Sequence, residues 1–244
     1  MKKYGRKILN STIALYVSIA LIVLVVFFSF YYAYGHFMTT LIADKGEKAV
    51  AYAMSNKEVE KGKIVFYGDS ITEMCETSMY YPEFEIINRG ISGDTTAGML
   101  QRLDDNLLNI APSTVLFLGG INDIDKNIPV EEIAGNIEAI LSSIKANFPD
   151  CRIIVQSVYP VNKNIRPHYL NKVNNRNNEA VRQLNELLPE ICQKYDCIYL
   201  DIHSYLADED GNLNKNYTRD GLHLIKKGYF YIAEIIKPYL AQTA

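Results

Sequence analysis

The 244-residue chain has no Gly-x-x-x-x-Gly-Lys and no Gly-x-Gly-x-x-Gly run, so the common phosphate cradles of nucleotide-binding proteins are missing. Its four cysteines, at 75, 151, 192 and 197, show no Cys-x-x-Cys spacing and no histidine cluster nearby, which argues against a zinc site. Neither an internal repeat nor a low-complexity tract is present, which removes solenoids and arrays. Acidic side chains outnumber basic ones outside the first residues. Of 25 basic and 28 acidic side chains, four and one lie in residues 1–44, so the remainder is net acidic by about six charges. Nucleic acid is therefore not an expected partner, because a phosphate backbone needs concentrated positive charge.

One absence is local. From Ile8 to Ala43 there is no Asp, Glu, Lys or Arg, and Ile13 to Tyr34 is almost wholly apolar. About 20 apolar residues cross a bilayer as a helix, whereas the core of a signal peptide is only about 7–15 long. No good small-x-small cleavage site follows, and Tyr31, Tyr32 and Tyr34 suit an interfacial aromatic belt. Lys2, Lys3, Arg6 and Lys7 precede the run, while the charges after it roughly cancel. The expectation is an uncleaved single-pass membrane anchor in residues 1–44, its N-terminus cytoplasmic and the rest of the chain outside. Residues 45–62, polar with scattered alanines, read as a linker or stalk, and 63–242 as one domain of ordinary size.

Within that domain strands and helices alternate. Strand-like runs occupy Lys63–Tyr67, Glu85–Asn88, Thr114–Leu118, Arg152–Ser157 and Ile198–Asp201. Helical periodicity fills Thr95–Leu108, Val130–Phe148, Tyr169–Tyr195 and Lys226–Leu240. Continuous apolar strands such as Val115-Leu116-Phe117-Leu118 suit a parallel sheet buried on both faces. The expected fold is a three-layer α/β/α sandwich. All four thiols are expected free, although Cys192 and Cys197 are close enough in sequence to leave a disulfide open.

Chemistry gathers where strands end. The first strand breaks at Gly68-Asp69-Ser70, bringing a hydroxyl to the edge at which open α/β sheets bind ligands. Ser70 is a candidate nucleophile or simply the cap of a helix. The third strand ends in Gly119-Gly120-Ile121-Asn122-Asp123; Asn122 offers an amide donor to a developing oxyanion, or sits in a plain turn. After the second strand, Gly90-Ile91-Ser92-Gly93-Asp94-Thr95 opens a helix, with Asp94 or Thr95 as its cap and glycine amides able to approach a ligand. Asp220-Gly221-Leu222-His223 precedes the last helix and can set a carboxylate beside an imidazole, the pair that activates a hydroxyl. His203, two residues after Asp201, is the rival base; His168 reads as surface and His36 lies at the edge of the apolar run. Arg102 is either a contact for an anionic substrate or a surface charge. Asn162–Asn178, rich in Asn, Lys and Arg, is either a flap over the site or an exposed helix start.

These blocks resemble the SGNH, or GDSL-type, esterase and lipase family over roughly Lys63–Leu240. Gly68-Asp69-Ser70-Ile71 is similar to its nucleophile block, with isoleucine where leucine is usual. Ile91-Ser92-Gly93-Asp94, Gly120-Ile121-Asn122-Asp123 and Asp220-x-x-His223 resemble its glycine, asparagine and terminal blocks. The resemblance implies a flavodoxin-like sheet of five parallel strands and a serine acylhydrolase without metal or organic cofactor. It makes Ser70 the nucleophile, His223 the base and Asp220 its orienter. The backbone N–H groups of Ser70 and Gly93 and the Asn122 amide become the oxyanion hole, with Gly90 as fallback. The expected substrate is a small-molecule or glycan ester, with a short acyl group, especially O-acetyl on extracellular or envelope carbohydrate. A lysophospholipase or thioesterase, an inactive glycan-binding module, and a nucleotide or phosphate binder using Gly90–Thr96 are the alternatives.

Overall fold

A computed structural model describes the backbone over residues 2–165 and 167–242, without the side chains of residues 2–15, 17–18, 36–44 and Lys57. The chain divides into two compact units, parted between Glu47 and Lys48.

In the first unit the backbone is one helix, the start of α1 (Lys2–Ser55). Its described side chains from Ile19 to Gly35 are all exposed. Among the described residues no helix is long and apolar enough to cross a membrane. The expected single-pass anchor, and the topology resting on it, are therefore not supported. Part of the expected span, residues 13–15 and 17–18, lies outside the described side chains.

The second unit is built on five parallel strands: β1 (Ile64–Gly68), β2 (Ile86–Gly90), β3 (Thr114–Leu118), β4 (Arg152–Gln156) and β5 (Ile198–Leu200), in the order β2-β1-β3-β4-β5. The central β3, all β-branched, leucine or aromatic, is buried throughout; parallel strands covered on both faces need such runs. Around the sheet lie α2 (Ser70–Glu73), α3 (Thr77–Tyr80), α4 (Thr96–Gln101), α5 (Leu103–Asn106), α6 (Ile121–Asp125), α7 (Val130–Asn147), α8 (Asn178–Lys194), α9 (His203–Leu206) and α10 (Lys226–Leu240). α7 packs against α4 and α8, and α10 against α3. Right-handed crossovers moving outward in opposite directions from β1 put these groups on opposite faces, giving the three-layer sandwich.

The same crossovers create a switch point. From β1 the chain steps one way to β2 and then returns to β3 on the other side, and register sets Gly68 level with Gly90 and Leu118. In open α/β sheets ligands bind beyond the carboxyl ends of the strands at such a point. Ser70, the glycine loop and Asn122 follow directly from the three strands that meet there.

Helix bounds differ from the sequence pattern in two places. The run Thr95–Leu108 is broken at Arg102, which leaves helical geometry at φ −96°, ψ 9°. The long run from Tyr169 starts within a 3₁₀ turn, His168–Leu170, and becomes α-helical only at Asn178, where the Asn177 side chain accepts the Ala180 N–H at 2.8 Å. The end of α1, within the region read as a linker, belongs to the second unit and is bonded to it. Lys48 pairs with Glu73, the Tyr52 hydroxyl donates to the Gly90 carbonyl at 3.0 Å, and Arg89 lies 4.7 Å over the Tyr52 ring.

Candidate active site

The first element of the site is the break after β1. Asp69 caps α2 by accepting the Ile71 N–H at 2.9 Å, and Ser70 becomes the first residue of that helix. Tyr229 of α10 donates to the Ile71 carbonyl at 2.8 Å, fixing the turn from behind. Asp69 itself is wholly buried and its Oδ2 has no partner. Burial pushes its carboxyl up to about 7, against the pull of the Ile71 N–H and of the nearby His223.

The second element is the turn before α10. Gly221 takes φ +82°, and a Cβ there would meet the Asn162 carbonyl oxygen at 2.2 Å, so no side chain fits. The turn folds Asp220 back on His223. Asp220 Oδ1 accepts the backbone N–H groups of Leu222 at 3.0 Å and His223 at 2.8 Å, while Oδ2 lies 2.7 Å from His223 Nδ1. Burial alone would raise this carboxyl, but the His223 hydrogen bond and the two backbone donors outweigh it and hold it at about 2. An ionised carboxylate only accepts, so Nδ1 carries the proton and Nε2 offers its lone pair. Ser70 Oγ lies 3.0 Å from that Nε2, hydrogen-bonding distance across 153 residues of sequence.

The third element comes from β3. Gly120 at φ +114° turns the chain into α6 and brings Asn122 to the same rim, buried at 5 % exposure. Asn122 Nδ2 donates to the Asp94 carbonyl at 2.9 Å, and Oδ1 accepts from Arg176 Nη2 at 2.6 Å. Asp123 ties this loop to α4 by accepting the Thr96 N–H and hydroxyl, the latter at 2.7 Å. Gly93 lies at φ +70° in the loop between β2 and α4, where Asp94 N–H closes onto the Ile91 carbonyl at 3.1 Å. The fallback donor Gly90 is excluded, since its N–H is committed to Asn88 Oδ1 at 2.9 Å.

Other candidates are placed elsewhere. Arg102 is not a surface charge. It is buried, with Nε on Asp94 Oδ2 at 2.7 Å, Nη2 on the Gly68 carbonyl at 3.1 Å, and its plane 4.3 Å over the Tyr67 ring. Of the two cap candidates for α4, Thr95 takes the role, accepting the Gly98 N–H. His203 sits in a separate cluster, its backbone N–H bonded to Ser157 Oγ at 2.7 Å and its Nε2 buried without a partner. Burial lowers its pKa, against the pull of Asp201. His168 is exposed, and the His36 side chain lies outside the described residues. All four cysteines are free thiols, and burial pushes those of Cys75, Cys151 and Cys192 up to about 12. Among the described residues no group of three or more His, Cys, Asp or Glu could hold a metal ion.

The segment 162–178, read as a flap or an exposed helix start, is tied to the Asp220 turn: the Asn162 and Lys172 N–H groups bond the Gly221 and Asp220 carbonyls at 2.8 Å each, and Val173 and Arg176 are buried, while 163–164, 167–170 and 174–175 are exposed. Arg176 is the site residue that sequence reasoning missed. Nothing in its Asn- and Lys-rich surroundings sets it apart from a solvated arginine.

Known proteins resemble this chain over most of its length. The platelet-activating factor acetylhydrolase IB subunit alpha2 of Rattus norvegicus is 32% identical over 180 residues, 72% of this chain and 73% of its own. A Streptococcus pneumonia structure described as a candidate platelet activating factor superposes with a TM-score of 0.80 at 33% identity, covering 85% of this chain and 98% of that one. A GDSL-like lipase from Bacteroides thetaiotaomicron reaches a TM-score of 0.66 at 25% identity, over 79% and 96% of the two chains. The sequence pattern of the GDSL-like Lipase/Acylhydrolase family matches residues 66–230, from within β1 into α10. Relatives and pattern agree, and the chain belongs to the GDSL-like lipase/acylhydrolase family of carboxylic ester hydrolases.

Proposed function

We propose that the protein is a serine esterase for short acyl groups, with Ser70 as nucleophile, His223 as general base and acid, and Asp220 as its orienter. One observation carries this reading: the unbroken relay from Asp220 Oδ2 to His223 Nδ1 at 2.7 Å and from Nε2 to Ser70 Oγ at 3.0 Å.

His223 Nε2 removes the Ser70 proton as Oγ attacks the ester carbonyl. The imidazolium so formed is stabilised by the ionised Asp220. The carbonyl oxygen becomes an oxyanion received by the backbone N–H groups of Ser70 and Gly93 and by Asn122 Nδ2. An amide nitrogen has two hydrogens, so Asn122 can serve the oxyanion while keeping its bond to the Asp94 carbonyl. A donor preorganised in this way is worth about 3–4 kcal/mol in a comparable site. His223 then protonates the leaving alcohol, and water repeats the cycle on the acyl-enzyme to free the acid and Ser70.

A short acyl group, O-acetyl above all, is supported by the compactness of the domain, which leaves little chain for a lipid-binding lid, and by the rat relative being an acetylhydrolase subunit. For the alcohol portion we favour carbohydrate. A groove lined by Asn162, Asn164, Asn212, Asn216, Thr218 and Arg219 adjoins the Asp220 turn, and its amide and guanidinium groups suit hydroxyl-rich ligands.

Ser70→Ala should fold with an unchanged melting temperature and lose at least about 10³-fold in turnover. The wild type, and not the variant, should be labelled rapidly by a fluorophosphonate. A series of p-nitrophenyl esters should peak at two carbons; a peak beyond eight would replace the short-acyl reading with a lysophospholipase or thioesterase. Full activity in Ser70→Ala would overturn the mechanism.

A further inference from the structure

We infer that Arg176 is a positioning residue for ester hydrolysis, locking and polarising the Asn122 amide so that its N–H, and never its oxygen, meets the developing oxyanion. The inference rests on the reading of Asn122 as an oxyanion donor.

An asparagine amide has two nearly isosteric orientations, related by a half-turn about its last torsion, and only one presents a donor to the reacting oxygen. The partners of Asn122 choose between them. A guanidinium only donates, so the atom 2.6 Å from Arg176 Nη2 must be Oδ1. A backbone carbonyl only accepts, so the atom 2.9 Å from the Asp94 oxygen must be Nδ2. Flipping the amide would oppose donor to donor and acceptor to acceptor at buried positions, where each unmade hydrogen bond is costly.

Arg176 is itself held. It is buried, its Nη1 ion-pairs with Asp125 Oδ2 at 3.2 Å, and the same nitrogen reaches the carbonyls of Lys172 and Val173 at 3.3 and 3.4 Å. Asp125 ends the short helix that begins with Ile121, so guanidinium and amide are clamped to one element. A positive group on Oδ1 also draws electron density from the amide nitrogen, strengthening the remaining N–H as a donor through a polarised chain. Arg176 never touches substrate in this scheme; its effect passes wholly through Asn122.

The test is a double-mutant cycle with p-nitrophenyl acetate, reading kcat and KM, with melting temperatures as a control on folding. Arg176→Met should lower kcat about 10²-fold and leave KM within about threefold, the pattern of an interaction made in the transition state. Arg176→Lys, which keeps a donor toward Oδ1, should recover at least tenfold of that loss. In an Asn122→Ala background, Arg176→Met should cost less than about threefold, because the group it positions is gone. Losses that multiply across the cycle, or a folded Arg176→Met at wild-type kcat, overturn the inference alone. Asn122→Ala at near wild-type kcat overturns the oxyanion reading beneath it. Should Arg176→Met not fold, Arg176→Lys paired with Asn122→Ala runs the same cycle and decides by the same criterion.

Discussion

Replacing Asp220 by asparagine should damage catalysis more than deleting its carboxylate altogether. The reason lies in how its two oxygens are used. Oδ1 accepts two backbone N–H groups, at 3.0 and 2.8 Å, while Oδ2 faces His223 Nδ1 at 2.7 Å. An asparagine must place its carbonyl oxygen at the Oδ1 position, since the opposite orientation would set its NH₂ against two fixed donors. Its NH₂ then points at Nδ1, which must become an acceptor, and the imidazole proton moves to Nε2, facing Ser70 Oγ. A nitrogen that already holds a proton cannot take one. Restoring the productive tautomer opposes two donors at a half-buried site, costing about 2–4 kcal/mol from the lost bond and the stranded donor. Losing the charge-assisted bond to the imidazolium costs about 1.5–3 kcal/mol more. Together, about 3.5–7 kcal/mol, these predict a fall in kcat of roughly 300- to 10⁵-fold at about 1.4 kcal/mol per decade. Asp220→Ala removes the charge-assisted bond, and the acceptor of two backbone N–H groups with it, but leaves the tautomer free; with the turn intact by its melting curve, the loss in kcat should be nearer about 10–150-fold. The assay is steady-state kcat on p-nitrophenyl acetate for both variants at neutral pH, with melting curves to show that each folds. Asp220→Asn more active than Asp220→Ala would refute the tautomer argument.

Two further outcomes concern backbone and burial. Gly221→Ala puts a Cβ about an ångström inside contact distance of the Asn162 carbonyl and strains a φ of +82°; it should cost about 2 kcal/mol or more in urea unfolding and lower kcat by displacing the His223 turn. A variant as stable and as active as wild type would show that the turn relaxes freely. Asp69 has its folded pKa raised by burial from 3.8 to about 7, so the folded state binds a proton that the unfolded chain releases. Its contribution to stability is therefore fully present below about pH 4 and lost as pH rises through about 7. Asp69→Asn retains an acceptor for the Ile71 N–H; relative to this variant, wild-type melting temperature should fall between pH 4 and 8, and parallel curves would rule the buried proton out.

Local chemistry made most of the fold legible. An apolar run closed by glycine marks a strand end in β1 and β3, because strands buried on both faces favour continuous apolar side chains, whereas β2 carries Asn88 and a buried Arg89 before its glycine. Val130–Asn147 was readable because Ile133, Ile137, Ile140, Leu141 and Ile144 make one stripe, all buried in the structure. The Asp220-x-x-His223 spacing was readable because a single tight turn brings i and i+3 together, and Ser70 and Asn122 because strand order converts two strand ends into one crevice. The break at Arg102 was not readable. It accompanies a guanidinium turned inward to a carbonyl of β1 and to Asp94, and the first of these partners is 34 residues away.

What escaped the sequence shares one physical character: the residue's environment is decided by a distant segment. Arg102 and Arg176 look alike on paper, each an arginine in a polar stretch, and both end up buried. Burying a guanidinium is tolerable only when several donors are met at once. Arg102 meets Asp94, the Gly68 carbonyl and the Tyr67 ring; Arg176 meets Asp125, Asn122 and two carbonyls of its own turn. Their acceptors come from the strand ends and loops that carry Ser70, the glycine turn and Asn122. The buried cations thus act as struts between the same three loops that chemistry requires to converge. A crevice at a switch point holds diverging loops with few backbone bonds between them, so side chains must supply the cross-links. Charge-assisted bonds are the shortest and most directional available for that purpose. The loops that carry Ser70, the glycine turn and Asn122 are accordingly cross-linked by buried ionic groups.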